Sequence, residues 1–320
     1  MAKKTNIVFM GTPDISVPTL EALHHEYNVS SVVTIPDKIQ GRGMKLLPSP
    51  VKTKAIELGL PVLQPENLKD ADFIATLNKL KPDIIVVFAF RYLPKEVYDI
   101  AKIAAFNIHT SLLPEFRGAA PINWAIINGE PSTGLTSFIL EDKIDAGQII
   151  LQEEIIIPYN ATAGDLYDIM MKKAPNFALK TCELLLTEKH TLTTQAEQFR
   201  FPAPKLLKQN VKIHWQYHAI SVVNFINGCS PDPCAWTMWN DKKLQILRAK
   251  VPTELDISIN IEKIVRMEKF GEFCITNGKF FVNCMIGILE LQEIRLENKN
   301  TMLIKDFING YRGELVGTFN

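Results

Sequence analysis

Asn107 and His109 stand two positions apart in FNIHTSLLPEFRGAAPINWAI (106–126), at the end of an apolar run. Alternation along a strand puts their side chains on one face. Two polar groups there are costly unless something uses them. The imidazole is the side chain whose charge changes nearest neutral pH, so the chemistry on offer is hydrogen bonding and proton handling. A third polar group stands in LEDKIDAGQII (140–150), where Asp145 precedes Ala-Gly in a small-residue turn between two apolar runs. On position alone each has a structural reading. A strand-end histidine is more often hydrogen-bonded scaffold than catalyst, SLLP is a tight turn, and Asp is a common turn residue. Nothing in the sequence shows that Asp145 meets His109.

The elements that must place these residues are readable over the first 150 positions. NIVFM (6–10), VSSVVTI (29–35), DIIVVFAF (83–90) and FNIH (106–109) read as strands. Helical patterns fall between them around 16–26, 49–58, 71–80 and 95–102. Such alternation implies an α/β, doubly wound, mostly parallel sheet with both faces covered. Ligands in such sheets sit outside the carboxyl ends of the strands, where Asn107 and His109 are. INWAIING then reads as a helix closed by Gly129. TGLTSFIL (133–140) and QIILQEEIII (148–157) read as strands, and an amphipathic helix runs from about Ala163 to Leu186.

Residues 188–211, with clustered Thr and Gln and two nearby prolines, read as an extended linker. A helix at about 216–227 follows, then AWTMW, KLQILRAK, GEFCIT, KFFVNC and ILELQEIRL. Short strands spaced by turns suggest a small barrel or sandwich. The expected division is therefore 1–187, a linker at 188–211, and 212–320. A chain of 320 residues is long for one core, which fits.

Bulk numbers exclude little but are informative. Thirty-five basic and 35 acidic residues cancel, so no global positive field advertises nucleic-acid binding. The five cysteines form no CxxC pair and are odd in number, which argues against a zinc site or a disulfide framework and for a reduced, cytoplasmic setting. MAKKTNIVFMGTPD is too short in apolar residues for a signal or membrane segment. No metal is expected, and no obligatory protein partner is evident. G-x-G-x-x-G and the Walker A pattern are both absent, which disfavours NAD or ATP.

N-x-H-x-SLLP-x-x-RGAAPI-x-W followed by D-x-G resembles the 10-formyltetrahydrofolate-dependent formyltransferases. GTPD (11–14) and GRG-x-K-L-x-PSPVK (41–52) resemble the branch of that family whose acceptor is methionyl-tRNA. APKL (203–206), I-x-W (213–215), P-x-P-x-AW (231–236) and DFINGYR (306–312) extend the likeness over nearly the whole chain. The resemblance implies a Rossmann-like domain joined to a smaller OB-like β-barrel that contacts tRNA. It also implies Asn107, His109 and Asp145 as the catalytic trio, and Ser111, Leu112, Leu113 and Pro114 as a folate-contacting turn. Its substrates would be 10-formyltetrahydrofolate and methionyl-tRNA of the initiator type, in translation initiation. Four positions depart from the family pattern: Phe90 and Thr110 stand where Gly is frequent, Ala146 where Thr is, and His214 where Asp is usual.

Two further stretches were open to either reading. GTPD is a strand-to-helix turn or a substrate contact. DKIQGRGMKLLPSPVKTK (37–54) carries Lys38, Arg42, Lys45, Lys52 and Lys54 with almost no acid. Beside a catalytic mouth, and by the resemblance, it is expected to meet the tRNA acceptor end, with Arg42 and Lys45 as the contacts.

Overall fold

The computed structural model describes residues 5–40, 45–188 and 191–319. Two compact units account for the chain. The first comprises Met1–Gly118, Thr133–Ile155 and Tyr167–Pro202; the second comprises Ala119–Ser132, Ile156–Leu166 and Ala203–Asn320.

The first unit starts with β1 (Asn6–Gly11), α1 (Val17–Glu26) and β2 (Asn28–Val33), followed by a small hairpin, β3 (Lys38–Gln40) and β4 (Lys45–Leu47). Then come α2 (Pro50–Glu57), β5 (Val62–Leu63), α3 (Ala71–Leu80), β6 (Ile84–Phe88), α4 (Lys95–Tyr98) and β7 (Ala104–His109). After the short α5 (Pro121–Ile127), which belongs to the second unit, come β8 (Ser132–Ile139) and β9 (Ile149–Ile156), and then α6 (Ala163–Leu186), whose first turn also belongs to the second unit. The helices start where the chemistry says they should. Ser49 accepts a hydrogen bond from the Lys52 amide ahead of Pro50, and Asp70 accepts from the amides of Asp72 and Phe73.

The main sheet runs β5-β2-β1-β6-β7-β8-β9. The first five strands are parallel, and β8 lies antiparallel to β7. Every residue of β6 is buried, the pattern of a strand covered on both faces. Chain order reverses between β1 and β6, so the crevice at their carboxyl ends, next to the end of β7, is where a Rossmann-like sheet holds ligands.

The stretch that composition marks as a linker is attached to this unit over part of its length. Thr193 exchanges both backbone hydrogen bonds with Ile149 of β9, at 2.8 and 3.0 Å.

The second unit holds α7 (Ala219–Gly228), β10 (Trp236–Trp239), β11 (Lys242–Lys250), α8 (Glu254–Ile264), β12 (Glu272–Thr276), β13 (Lys279–Asn283) and β14 (Ile288–Leu296). It closes with β15 (Met302–Leu303), α9 (Ile304–Gly310) and β16 (Val316–Thr318). Its antiparallel, barrel-like sheet has the order β10-β11-β14-β13-β12-β16. Trp239 lies at the centre of the core, in edge or tilted contact with Phe273, Phe280, Phe307, Tyr311 and Phe319. Trp215 is also buried, whereas Tyr217 is exposed. Among the described residues no helix is long and apolar enough to cross a membrane. No cluster of His, Cys, Asp and Glu among them is placed to hold a metal ion.

All five cysteines are buried and unpaired. Burial pushes the thiols of Cys182, Cys229 and Cys284 up to about 12, and those of Cys234 and Cys274 up to about 11. The native protein at pH 8 should therefore show less than one fast-reacting thiol with a colorimetric disulfide reagent, and five after denaturation. Rapid titration of two or more native thiols would contradict this packing.

Candidate active site

His109 closes β7 opposite Thr136 of β8 and is buried. Its Nε2 lies 2.9 Å from the carbonyl oxygen of Phe116. A carbonyl only accepts, so Nε2 carries the hydrogen. Nδ1 is then turned toward Asp145, whose Oδ2 lies 3.9 Å away. That is an ion-pair separation and too long for a hydrogen bond. The same Oδ2 accepts from the Gly118 amide at 3.1 Å. The fold thus brings together two residues 36 positions apart whose meeting the sequence left open. Asp145 itself sits at φ 52°, in the left-handed region that a short polar side chain tolerates. Two residues on, Gly147 lies against the Ile139 carbonyl so closely that any Cβ would overlap it. The D-x-G spacing follows from that crowding.

Asn107 is one same-face step before His109 on β7 and is half-buried. Among the described residues its carboxamide makes no hydrogen bond. Two members of the expected trio are held by the protein, and the third has no partner among the described residues.

The SLLP turn is built from inside. The Ser111 hydroxyl is fully buried and donates to the Glu115 carbonyl at 2.7 Å. Thr136 Oγ1 donates to the Ser111 carbonyl at 2.6 Å and accepts from the Leu113 amide at 3.1 Å. Gln152 Nε2 donates to the Leu113 carbonyl and to Thr136 Oγ1. Leu113 packs with Phe138 and Ile149, and the Leu113–Pro114 peptide is cis. Leu112 and Pro114 are half-buried, while Ser111 and Leu113 are buried and hold the turn's shape. Just beyond it, Phe116 sits at φ 61°. Its amide donates to the Phe201 carbonyl at 2.7 Å, and the two rings stack with centroids 5.8 Å apart.

Other sequence candidates divide. In GTPD, Asp14 accepts from the Tyr167 hydroxyl and from the Ile15 amide, so it ties the turn to α6. Burial raises the Tyr167 phenol, which keeps it a neutral donor. In the basic loop, Lys52 pairs with Asp37 at 2.6 Å, and Lys54 pairs with Glu21 and Glu57 at 3.0 and 2.7 Å. These two cations are compensated within the unit. Lys38 is exposed. Arg42 lies outside the described residues, and for Lys45 the backbone alone is described, paired with Gln40 across the β3–β4 hairpin. In the atypical FAFRYLP (88–94), Arg91 donates to the Pro65 and Glu66 carbonyls and lies over the Phe90 ring at 5.6 Å. Burial lowers the Arg91 guanidinium from its usual range.

Thr136, Gln152 and Gln195 were not singled out by sequence reasoning. Thr136 and Gln152 sit at positions that look like ordinary strand residues. Gln195 falls in the polar stretch read as linker, yet it is buried.

The Formyl transferase family profile matches residues 5–181, and that of the formyl transferase C-terminal domain matches 205–312. The methionyl-tRNA formyltransferase of Chlorobium limicola is 39% identical over 312 residues, which are 96% of each chain. That of Clostridioides difficile is 40% identical over 307 residues, covering 95% of this chain and 96% of the relative. Among solved structures, WlaRD, a sugar 3N-formyl transferase, is 18% identical with a TM-score of 0.66, covering 93% of this chain and 99% of that one. HypX from Aquifex aeolicus, solved in complex with tetrahydrofolic acid, is 17% identical with a TM-score of 0.63. The likeness covers 96% of this chain and 47% of HypX, so this chain spans about half of that protein. At these identities the two structures share the fold.

Proposed function

The chain belongs to the formyl transferase family, and we propose that it transfers the formyl group of 10-formyltetrahydrofolate to the α-amino group of methionine esterified to initiator tRNA. The observation that carries this reading is the extent of the likeness. Proteins named for that reaction align with 95–96% of the chain at 39–40% identity, through both units. The chemistry also suits the site.

In the proposed reaction the free amine attacks the formyl carbon. A new C–N bond forms and the carbonyl π pair moves onto oxygen. The unpartnered carboxamide of Asn107 is a donor for that oxyanion, and an imidazolium at His109 would add a positive charge beside it. Because Nε2 is engaged by Phe116, Nδ1 is the ring nitrogen left to exchange a proton. Asp145, 3.9 Å from that nitrogen, compensates the imidazolium. Collapse of the tetrahedral intermediate breaks the bond from carbon to folate N10. The amine loses one proton and N10 gains one, with Asp145 as the carboxylate placed to carry it, directly or through water. Folate is a substrate here, and neither a metal nor a covalent enzyme intermediate enters the scheme. Leu112 and Pro114 would supply the turn's contact with the folate.

Incubation with 10-formyltetrahydrofolate and either methionyl-tRNA or an amino-sugar nucleotide discriminates the acceptors. Formylation of methionyl-tRNA is expected; transfer to the sugar nucleotide alone would overturn the reading. Replacing Asn107, His109 or Asp145 by Ala should lower turnover on the order of 10²-fold or more, with little change in melting. Half of wild-type turnover in His109→Ala would refute the assigned roles.

The loop at 37–54 generates its own expectation. Arg42→Ala should lower kcat/KM for methionyl-tRNA by about 10- to 100-fold, the range for a good arginine contact to nucleic acid. Lys45→Ala should reduce the salt dependence of tRNA binding by roughly one ion. Folate affinity should be the same in both variants. Normal tRNA formylation by both would reduce the loop to a solvated surface.

A further inference from the structure

Gln195 uses its whole carboxamide inside the protein. Its Nε2 donates to the carbonyls of Asp145 and Gly147, at 3.0 and 2.8 Å. Its Oε1 accepts from Nε and Nη2 of Arg117, at 3.1 and 2.6 Å. The residue is 7% exposed. Buried amides whose hydrogen bonds are all satisfied specify one geometry, because any displacement strands a donor or an acceptor. Here the geometry is that of two loops. One carries Asp145 at its left-handed φ. The other runs from Phe116, whose carbonyl holds His109, to Gly118, whose amide holds the Asp145 carboxylate. Gln195 is a single side chain bonded to both.

Its neighbours extend the attachment. The Arg117 guanidinium also donates to the Ala196 carbonyl at 3.3 Å and lies over the Phe199 ring at 5.2 Å. The Glu115 carboxylate accepts from the amides of Arg200 and Phe201. Phe201 in turn holds the Phe116 amide. Thr193 anchors the other end on β9. Residues 193–201 therefore run across the loops behind His109 and Asp145, attached at both ends.

From this we infer that Gln195 is a positioning residue for formyl transfer, acting through Asp145. It touches no reacting atom. Its amide donors fix the Asp145–Gly147 turn, and its oxygen fixes the Arg117 loop, at the separation where the Asp145 carboxylate faces His109 Nδ1. This rests on the functional reading above and adds a residue to it.

The test is a double-mutant cycle read by single-turnover formylation of methionyl-tRNA, with rates normalised to folded protein from circular dichroism. Gln195→Ala should lower the transfer rate by roughly 10²-fold, the scale for a small misplacement of a catalytic group. The apparent affinity for the formyl donor should stay within about twofold. In the Asp145→Ala background the same substitution should cost less than about twofold further, since the group it positions is gone. Gln195→Glu keeps an acceptor for Arg117 but turns a carboxylate oxygen toward two carbonyls, so it should lose as much as Ala. If Gln195→Ala does not fold, Gln195→Glu carries the cycle. Equal losses in the two backgrounds, or wild-type rates in either Gln195 variant, would overturn the inference while leaving an active wild type to support the functional reading. Absence of transfer by the wild type would refute both.

Discussion

One hydrogen bond organises the site: His109 Nε2 to the carbonyl of Phe116. A buried imidazole must place both nitrogens, and an acceptor that cannot donate removes the choice of tautomer. The ring then has a fixed back, bonded to protein, and a front, Nδ1, turned to Asp145. For that carbonyl to reach the ring the chain must turn sharply just past Pro114, and Phe116 adopts a left-handed φ of 61° to do it. A bulky residue in that region is costly, and the surroundings over-determine it. The Phe201 carbonyl takes the Phe116 amide, and its ring stacks on Phe116. Thr136 and Gln152 clamp the turn before it.

The proposed trio is treated unequally. His109 and Asp145 are fixed by backbone partners on Phe116 and Gly118, so their mutual orientation exists before any substrate arrives. Among the described residues the Asn107 carboxamide makes no hydrogen bond. Groups held in place before the reaction have no reorganisation left to do during it, which applies here to His109 and Asp145. The left-handed backbone at Asp145 belongs to the same turn, two residues before a glycine that has no room for a Cβ.

Much of this was readable from sequence, for definite reasons. β1, β6 and β7 are short apolar runs with helical patterns between them, and period-two alternation alone placed Asn107 and His109 on one face. What could not be read was non-local. The approach of Asp145 to His109 depends on how β8 and the following turn return beside β7, which no local pattern encodes. No local pattern shows that the Ser111 hydroxyl donates to the Glu115 carbonyl and so shapes the turn. Lys52 and Lys54 looked like part of an open basic face, but Asp37 of the same stretch, Glu57 one helical turn on and the more distant Glu21 compensate them. Gln195 was hidden because Thr and Gln clusters read as loop, and composition does not report that one glutamine of the cluster is buried. In the second unit, α8 escaped notice because Ile257, Ile259 and Ile261 alternate as a strand would. Reciprocal bonds between Thr253 and Asp256 instead cap a helix there.

The measurement that bears most directly on this account is the tautomer of the His109 ring, read by nitrogen NMR on histidine-labelled protein. The account predicts that the neutral ring carries its hydrogen on Nε2, with Nδ1 bare and facing Asp145. A His109 ring protonated at Nδ1 with Nε2 bare would contradict it, because the bond to Phe116 on which the arrangement depends could not then exist.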